Sequence, residues 1–241
     1  DVLGQSNVRR KFMPGLTHTL IFFGFLAVQP HSVELMVNGV FQAFHAANIM
    51  RGIYGVYLFG ADILAFPVLV GLGYALYRRL VVKPAYLTNE LDARLIILFT
   101  SVIIITFYFI NAFLTVPAIG GGFDYARYFT ISNLVQRIFN LAALSPAGSR
   151  VGYEIAYWIH LLTILGFLVY IPGSKHLHLL AAAPNVFLKP LDRPKAMIKT
   201  DIEDEDAETF GLGNVAELNW KNVLDLYACT ECGRCEEQCP A

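Results

Sequence analysis

The stretch RLIILFTSVIIITFYFINAFLTVPAI, residues 94–119, begins with Arg94 and carries no further charge. As a helix, its twenty-five uncharged residues reach about 37 Å at 1.5 Å per residue. The hydrocarbon layer of a bilayer is about 30 Å thick. Working outward, three more apolar runs of spanning length appear at 14–38, 52–77 and 152–172, beside this one at 93–119. The whole chain is 56% hydrophobic and 15% charged, with a mean hydropathy of +0.51, which excludes an ordinary soluble domain. The expected fold is an all-α, antiparallel transmembrane helix bundle with four spans. No basic patch suited to nucleic acid and no phosphate-binding glycine loop is present. The connection at 119–151 contains an amphipathic piece, Ile131–Leu144, suited to lying on a membrane surface.

Basic residues set the expected orientation. Arg9, Arg10 and Lys11 precede the first span, and Arg78, Arg79, Lys83 and Arg94 lie between the second and third. Lys175, Lys189, Arg193, Lys195 and Lys199 follow the fourth. Only Arg51, Arg127, Arg137 and Arg150 fall on the opposite side, so the positive-inside rule puts both ends in the cytoplasm. The expected location is the cell (inner) membrane, multi-pass. After the membrane domain (1–180) comes a linker (181–216), Pro- and Lys-rich and then acidic at Asp201–Glu208, read as a solvated spacer.

All four cysteines fall in the last segment, 217–241. Cys229, Cys232, Cys235 and Cys239 form a C-x2-C-x2-C-x3-C run closed by Pro240. This is the ligand spacing of a bacterial-ferredoxin [4Fe–4S] cluster, in which the fourth cysteine serves a neighbouring cluster. Structural zinc sites favour separated pairs, and a disulfide framework has no reason for such compact spacing. The segment reads as the start of an α-helical ferredoxin-like [4Fe–4S] domain on the reducing side of the membrane.

Five of the six histidines lie in or beside the spans. Lone membrane histidines often only bond a neighbouring helix, but several at two depths suit haem b. His160 and His178 are eighteen residues apart, five turns and about 27 Å if the helix continues through Pro172. His18 follows the basic Arg9–Lys11 segment and shares the depth of His176 and His178. A bis-imidazole site needs two histidines at one depth on different helices, which His18 and His178 meet, with His176 competing. Gly24, more than a turn past His18, would let a flat macrocycle approach the backbone. His160 needs a partner at the other depth, and His45 and His31 are the candidates. His31 would need the Pro30 kink to re-aim it. A haem-free half, with these residues lining a quinone or proton site, is the other reading.

Three strings together carry a family resemblance: Pro14–His18 with Phe23-Gly24-Phe25, His160 through Ser174-Lys175-His176-Leu177-His178, and Trp220-Lys221 with Cys229–Ala241. They resemble membrane iron–sulfur proteins that fuse a nitrate reductase gamma-like cytochrome b to a heterodisulfide-reductase-like domain. Within that class they look most like the quinone oxidoreductases that accept electrons from electron-transferring flavoprotein. The resemblance implies that His18 and His178 ligate one haem b and that His160 serves a second. It also carries a glutamate and a histidine at Glu34 and His45, which favours His45 for the second site. The nitrate reductase branch has a histidine where this chain has Val28. One more helix ahead of Asp1 and a second cysteine motif after Pro240 are further implied.

The implied activity is respiratory electron transfer from a cytoplasmic donor, electron-transferring flavoprotein, through iron–sulfur clusters and haem b to menaquinone or another quinone. Additional complex subunits fit the same picture. Quinone chemistry exchanges protons, and Asp62 in the second span is the first candidate carrier, because intramembrane carboxylates are costly. Its alternative role is a hydrogen-bonded acid that fixes helix packing. Glu34 and Arg51 are candidates for a quinone pocket, with Glu154 weaker. Two rivals remain: a quinol-linked heterodisulfide or sulfur-carrier reductase subunit, and a non-catalytic membrane anchor with zinc-binding cysteines.

Overall fold

The computed structural model describes residues 3–4, 8, 11–41, 44–85, 91–120, 123–189 and 214–230. In chain order the helices are α1 (Phe12–Val40), α2 (Ala46–Met50), α3 (Gly52–Tyr77), α4 (Leu91–Leu114), α5 (Pro117–Gly120), α6 (Ile131–Ile138), α7 (Pro146–Tyr170), α8 (His178–Phe187) and α9 (Trp220–Ala228). Among the described residues there are no strands. The four apolar runs become α1, α3, α4 and α7, each long and apolar enough to cross a membrane. α3 continues into a π-helical turn at Arg78–Val82. α7 starts cleanly because Ser145 accepts from Gly148 N at 3.1 Å and Pro146 occupies the first turn, where its missing N–H costs nothing.

Outward-facing side chains are as apolar as the interior. Phe23, Val56, Phe66, Leu98 and Val169 are exposed. Such a surface would aggregate in water but is solvated by hydrocarbon. The helices themselves satisfy their backbone polar groups, as a lipid environment demands.

α1 lies antiparallel along α3: Ile21 and Thr17 meet Gly71, Gly24 meets Leu64 and Val68, and Tyr54 reaches Glu34. α4 follows α3, with the Tyr108 hydroxyl donating to the Asp62 carbonyl at 2.8 Å. α7 returns antiparallel along α4, with Thr106 beside His160 and Phe113 against Gly152. Val28, Ala61, Ala65, Val68, Ile104 and Phe107 form the largest buried cluster. Helices α1 and α3 run on through Pro30 and Pro67.

Gly24 has a different job from the one its position suggested. A Cβ there would lie 2.3 Å from Val68 Cγ2 and 2.5 Å from Leu64 O, so its face is filled by α3 and offers no room for a macrocycle. Gly24→Ala should therefore destabilise the bundle by about 1–3 kcal/mol through overpacking. Gly60→Ala, where a Cβ meets nothing within 4 Å, should be within about 0.5 kcal/mol of wild type. Thermal unfolding in detergent compares the two.

One expected continuity breaks. The last span does not continue as one helix through Pro172: α7 ends at Tyr170, tight 3-10 turns cover Ile171–Gly173 and Lys175–Leu177, and α8 begins at His178. The straight five-turn relation between His160 and His178 therefore does not hold. α8 runs to Phe187 and packs against α9.

Candidate functional site

At one end of the bundle, the break after α7 is fastened to the start of α4. Asp92 accepts from Lys175 N at 2.9 Å and from the Tyr170 hydroxyl. Ser174, in extended backbone, accepts from His176 N at 3.2 Å and caps the turn. These bonds hold His176 and His178 beside α1. The His176 ring lies 5.0 Å from Phe167 and 5.3 Å from His178, centroid to centroid. Burial, then the neighbouring His178 and, more weakly, His18, push the His176 imidazolium down to about 4. His18, His176 and His178 are thus gathered at one end, although α1 is separated from α8 by most of the chain.

The donor set at this end fits a haem iron. His178 Nδ1 donates to the Lys175 carbonyl at 2.8 Å, which fixes the tautomer and leaves the Nε2 lone pair for a metal. Burial lowers the pKa of His178, which favours the neutral ligand form. His176 is held instead by its ring contacts. His178 thus keeps a ring nitrogen suited to a metal, at the end of the bundle that also carries His18.

The other histidines are arranged differently. His160 is buried on α7: its Nδ1 lies 2.8 Å from Thr106 Oγ1 and 3.1 Å from Ile103 O, and its Nε2 lies 3.2 Å from Ser32 Oγ. His31 is buried on α1, with Nε2 2.9 Å from Asn111 Oδ1 and Nδ1 3.3 Å from Glu34 Oε2. His31, rather than the favoured His45, is the histidine brought near His160. Both nitrogens of each ring meet protein atoms, so the pair does not fit axial ligation in this packing. Val28, at the position where the nitrate reductase branch has histidine, is fully buried in the apolar core. His45 is exposed, just before α2.

Beyond His31 lies a cavity of about 600 Å³ at the end of the bundle opposite His18. His31, Glu34, His45, Tyr54, Tyr125 and Glu154 are among its lining residues. Glu34 is buried, with Oε1 accepting from Ala46 N at 2.9 Å and Oε2 accepting from the Tyr54 hydroxyl at 2.9 Å. Tyr54 and Tyr125 both line the cavity. Exposed Arg150 and Glu154 stand at the rim.

Arg51 is exposed between α2 and α3, in positive-φ backbone (φ 48°), and is not among the residues lining the cavity. Asp62 is fully buried, yet away from it. Its carboxylate accepts from Thr130 N (2.7 Å), Ile131 N (2.6 Å), Ser132 N (3.1 Å) and Ser132 Oγ (2.5 Å). Those amides are the orphan donors of the α6 N-terminus, where a carboxylate is also favoured by the helix dipole. Asp62 is therefore held as a helix-packing acceptor would be, away from the cavity.

The cysteine segment is approached through α9. Asn219 caps it by accepting from Asn222 N at 2.8 Å, and α9 packs against α8. Lys221 links Asn185 of α8 to Asp225 of α9. Cys229 follows directly and is exposed. Cys232, Cys235 and Cys239 lie outside the described residues. Tyr54, Tyr125, Asn111 and Asp92 were not singled out by sequence. Only their charge, amide or hydroxyl could have marked them.

No family model and no solved structure matches the chain. Curated proteins do. One is named probable iron-sulfur-binding oxidoreductase FadF, from Bacillus subtilis (strain 168), 32% identical over 247 residues, covering 100% of this chain and 33% of that protein. Another is named EtfAB:quinone oxidoreductase, from Syntrophomonas wolfei, 29% identical over 254 residues, covering 98% of this chain and 33% of that protein. The chain spans about a third of the length of these relatives. It is related to iron–sulfur oxidoreductases.

Proposed function

We propose that this chain is the membrane electron-transfer part of an oxidoreductase that links electron-transferring flavoprotein to a membrane quinone. Cys229, Cys232, Cys235 and Cys239 would hold iron–sulfur clusters, and His18 and His178 would hold haem b. The relatives' names support the iron–sulfur, flavoprotein and quinone elements. The basic flanks support placing the cysteines on the cytoplasmic side. One observation carries the reading: α8 begins at His178 and packs against α9, which leads directly into Cys229. The candidate haem ligand and the first candidate cluster ligand thus sit on one docked helix pair.

Haem and cluster, when bound, supply one-electron chemistry, and the protein supplies ligation and insulation. Lys175 O orients His178, Asp92 fastens the turn that presents it, and apolar helix faces exclude water. The cavity beside Glu34 would receive the quinone ring, with Glu34 and Tyr54 as polar contacts in a lining of mixed polarity. His160, bonded to Ser32 and Thr106, contributes packing between α1, α4 and α7.

The purified protein should show a reduced-minus-oxidised low-spin haem b band, with iron and acid-labile sulfide. A colourless, iron-free preparation that refuses reconstitution would leave only the membrane-anchor reading.

A further inference from the structure

Glu34 and Asp62 are both buried carboxylates on apolar helices, and their partners separate them. Asp62 is held by three main-chain N–H groups and one serine, and an amide cannot readily pass a proton on. Glu34 is held by one amide, a phenol and an imidazole. A hydroxyl can give one proton while receiving another, so a chain of hydroxyls ending on a carboxylate is suited to relay protons. Assigning the Nε2 proton of His31 to its bond with Asn111 Oδ1, the Nδ1···Oε2 contact holds the one proton that His31 and Glu34 share. Tyr125, half-buried, lines the same cavity as Tyr54 and Glu34, and burial together with the charge of Glu34 raises its pKa, keeping it protonated.

We propose that Tyr125, Tyr54 and Glu34 form the path along which protons pass between water at the cavity end and a quinone ring seated in the cavity, with His31 as the positioning residue for Glu34. This rests on the quinone reading above. Reduction of the ring takes two electrons, one at a time, from the one-electron carriers of the protein (iron–sulfur cluster or haem b), and forms two O–H bonds. For each, the proton shared by His31 and Glu34 goes to a quinone oxygen. The Tyr54 hydroxyl proton refills Glu34 Oε2, the Tyr125 proton refills Tyr54, and water refills Tyr125. Quinol oxidation runs the same steps backwards, and nothing else is consumed.

The test uses the complete protein in lipid nanodiscs, with a short-chain naphthoquinone as substrate and a fluorescent hydroxyquinoline N-oxide as the binding probe. Glu34→Gln and Tyr54→Phe should still bind the probe, each losing no more than about tenfold in affinity, the worth of one hydrogen bond. Turnover should fall by roughly 10²-fold for Glu34→Gln and less for Tyr54→Phe, the range of a lost general acid–base. The solvent deuterium isotope effect should rise in both, and Glu34→Asp should recover part of the rate. Tyr57→Phe, whose hydroxyl instead bonds Ala27 O, should match wild type. Variants that bind the probe and keep wild-type turnover and isotope effect overturn the proton path while leaving the quinone reading intact. A wild-type protein that neither binds the probe nor turns over quinone overturns the reading itself, and the path with it.

Discussion

Replacing Asp62 by alanine is expected to destabilise the bundle by about 3–5 kcal/mol, because four donors, two of them buried, lose their acceptor together. The carboxylate joins α3 to the start of α6, which has only eight residues and little stability of its own. Asp62→Asn should be nearly as damaging, since the new amide NH2 points a donor at donors. Measured as loss of thermal stability in detergent, a change below about 1 kcal/mol for both variants contradicts the clamp. Electron transfer in whatever folded fraction remains should be normal, which distinguishes a clamp from a proton carrier.

His178→Ala is expected to abolish the haem b absorbance assigned to the His18 end, and His18→Ala to do the same. His176→Ala should leave most of it, because the orienting bond from Nδ1 to the Lys175 carbonyl belongs to His178. Added imidazole should restore part of the band in the His178 variant if the protein otherwise folds. Retention of every haem with unaltered spectrum and potential in both His18→Ala and His178→Ala eliminates this ligand pair. Retention in the His178 variant with loss in the His176 variant transfers the role to His176.

The long helices were legible because a run such as 94–119 has one physical solution in a bilayer, and the observed α4 at Leu91–Leu114 follows it closely. Convergence of His18 with the His176–His178 turn was also readable from depth alone. The path of the chain between those points was less so. Pro172 and Gly173 permit either a kink or a stop, and the stop is decided by Asp92, eighty-three residues away from Lys175. Likewise Asp62 stood out as a costly charge, but its partners at 130–132 are set by tertiary folding that no local pattern records. Gly24 looked like room for a cofactor and is instead the contact point of α1 with α3. At the cavity, Glu34 was marked by its charge, whereas Tyr54 and Tyr125 are two of twelve tyrosines and become distinctive only once folded together.

The docking of α9 onto α8 has a consequence for how such a chain can diverge. With haem at His178 and a cluster at Cys229, as proposed, the spacing between the two centres would be governed by a surface of two short helices, with Lys221 pinned between Asn185 and Asp225, and not by the length of sequence that joins them. Insertions within 190–213 should therefore leave the rate of internal electron hopping untouched, whereas a bulky residue at the helix contact should slow it steeply. Evolution could then lengthen or recharge the sequence at 190–213 while the distance between the two centres stays fixed.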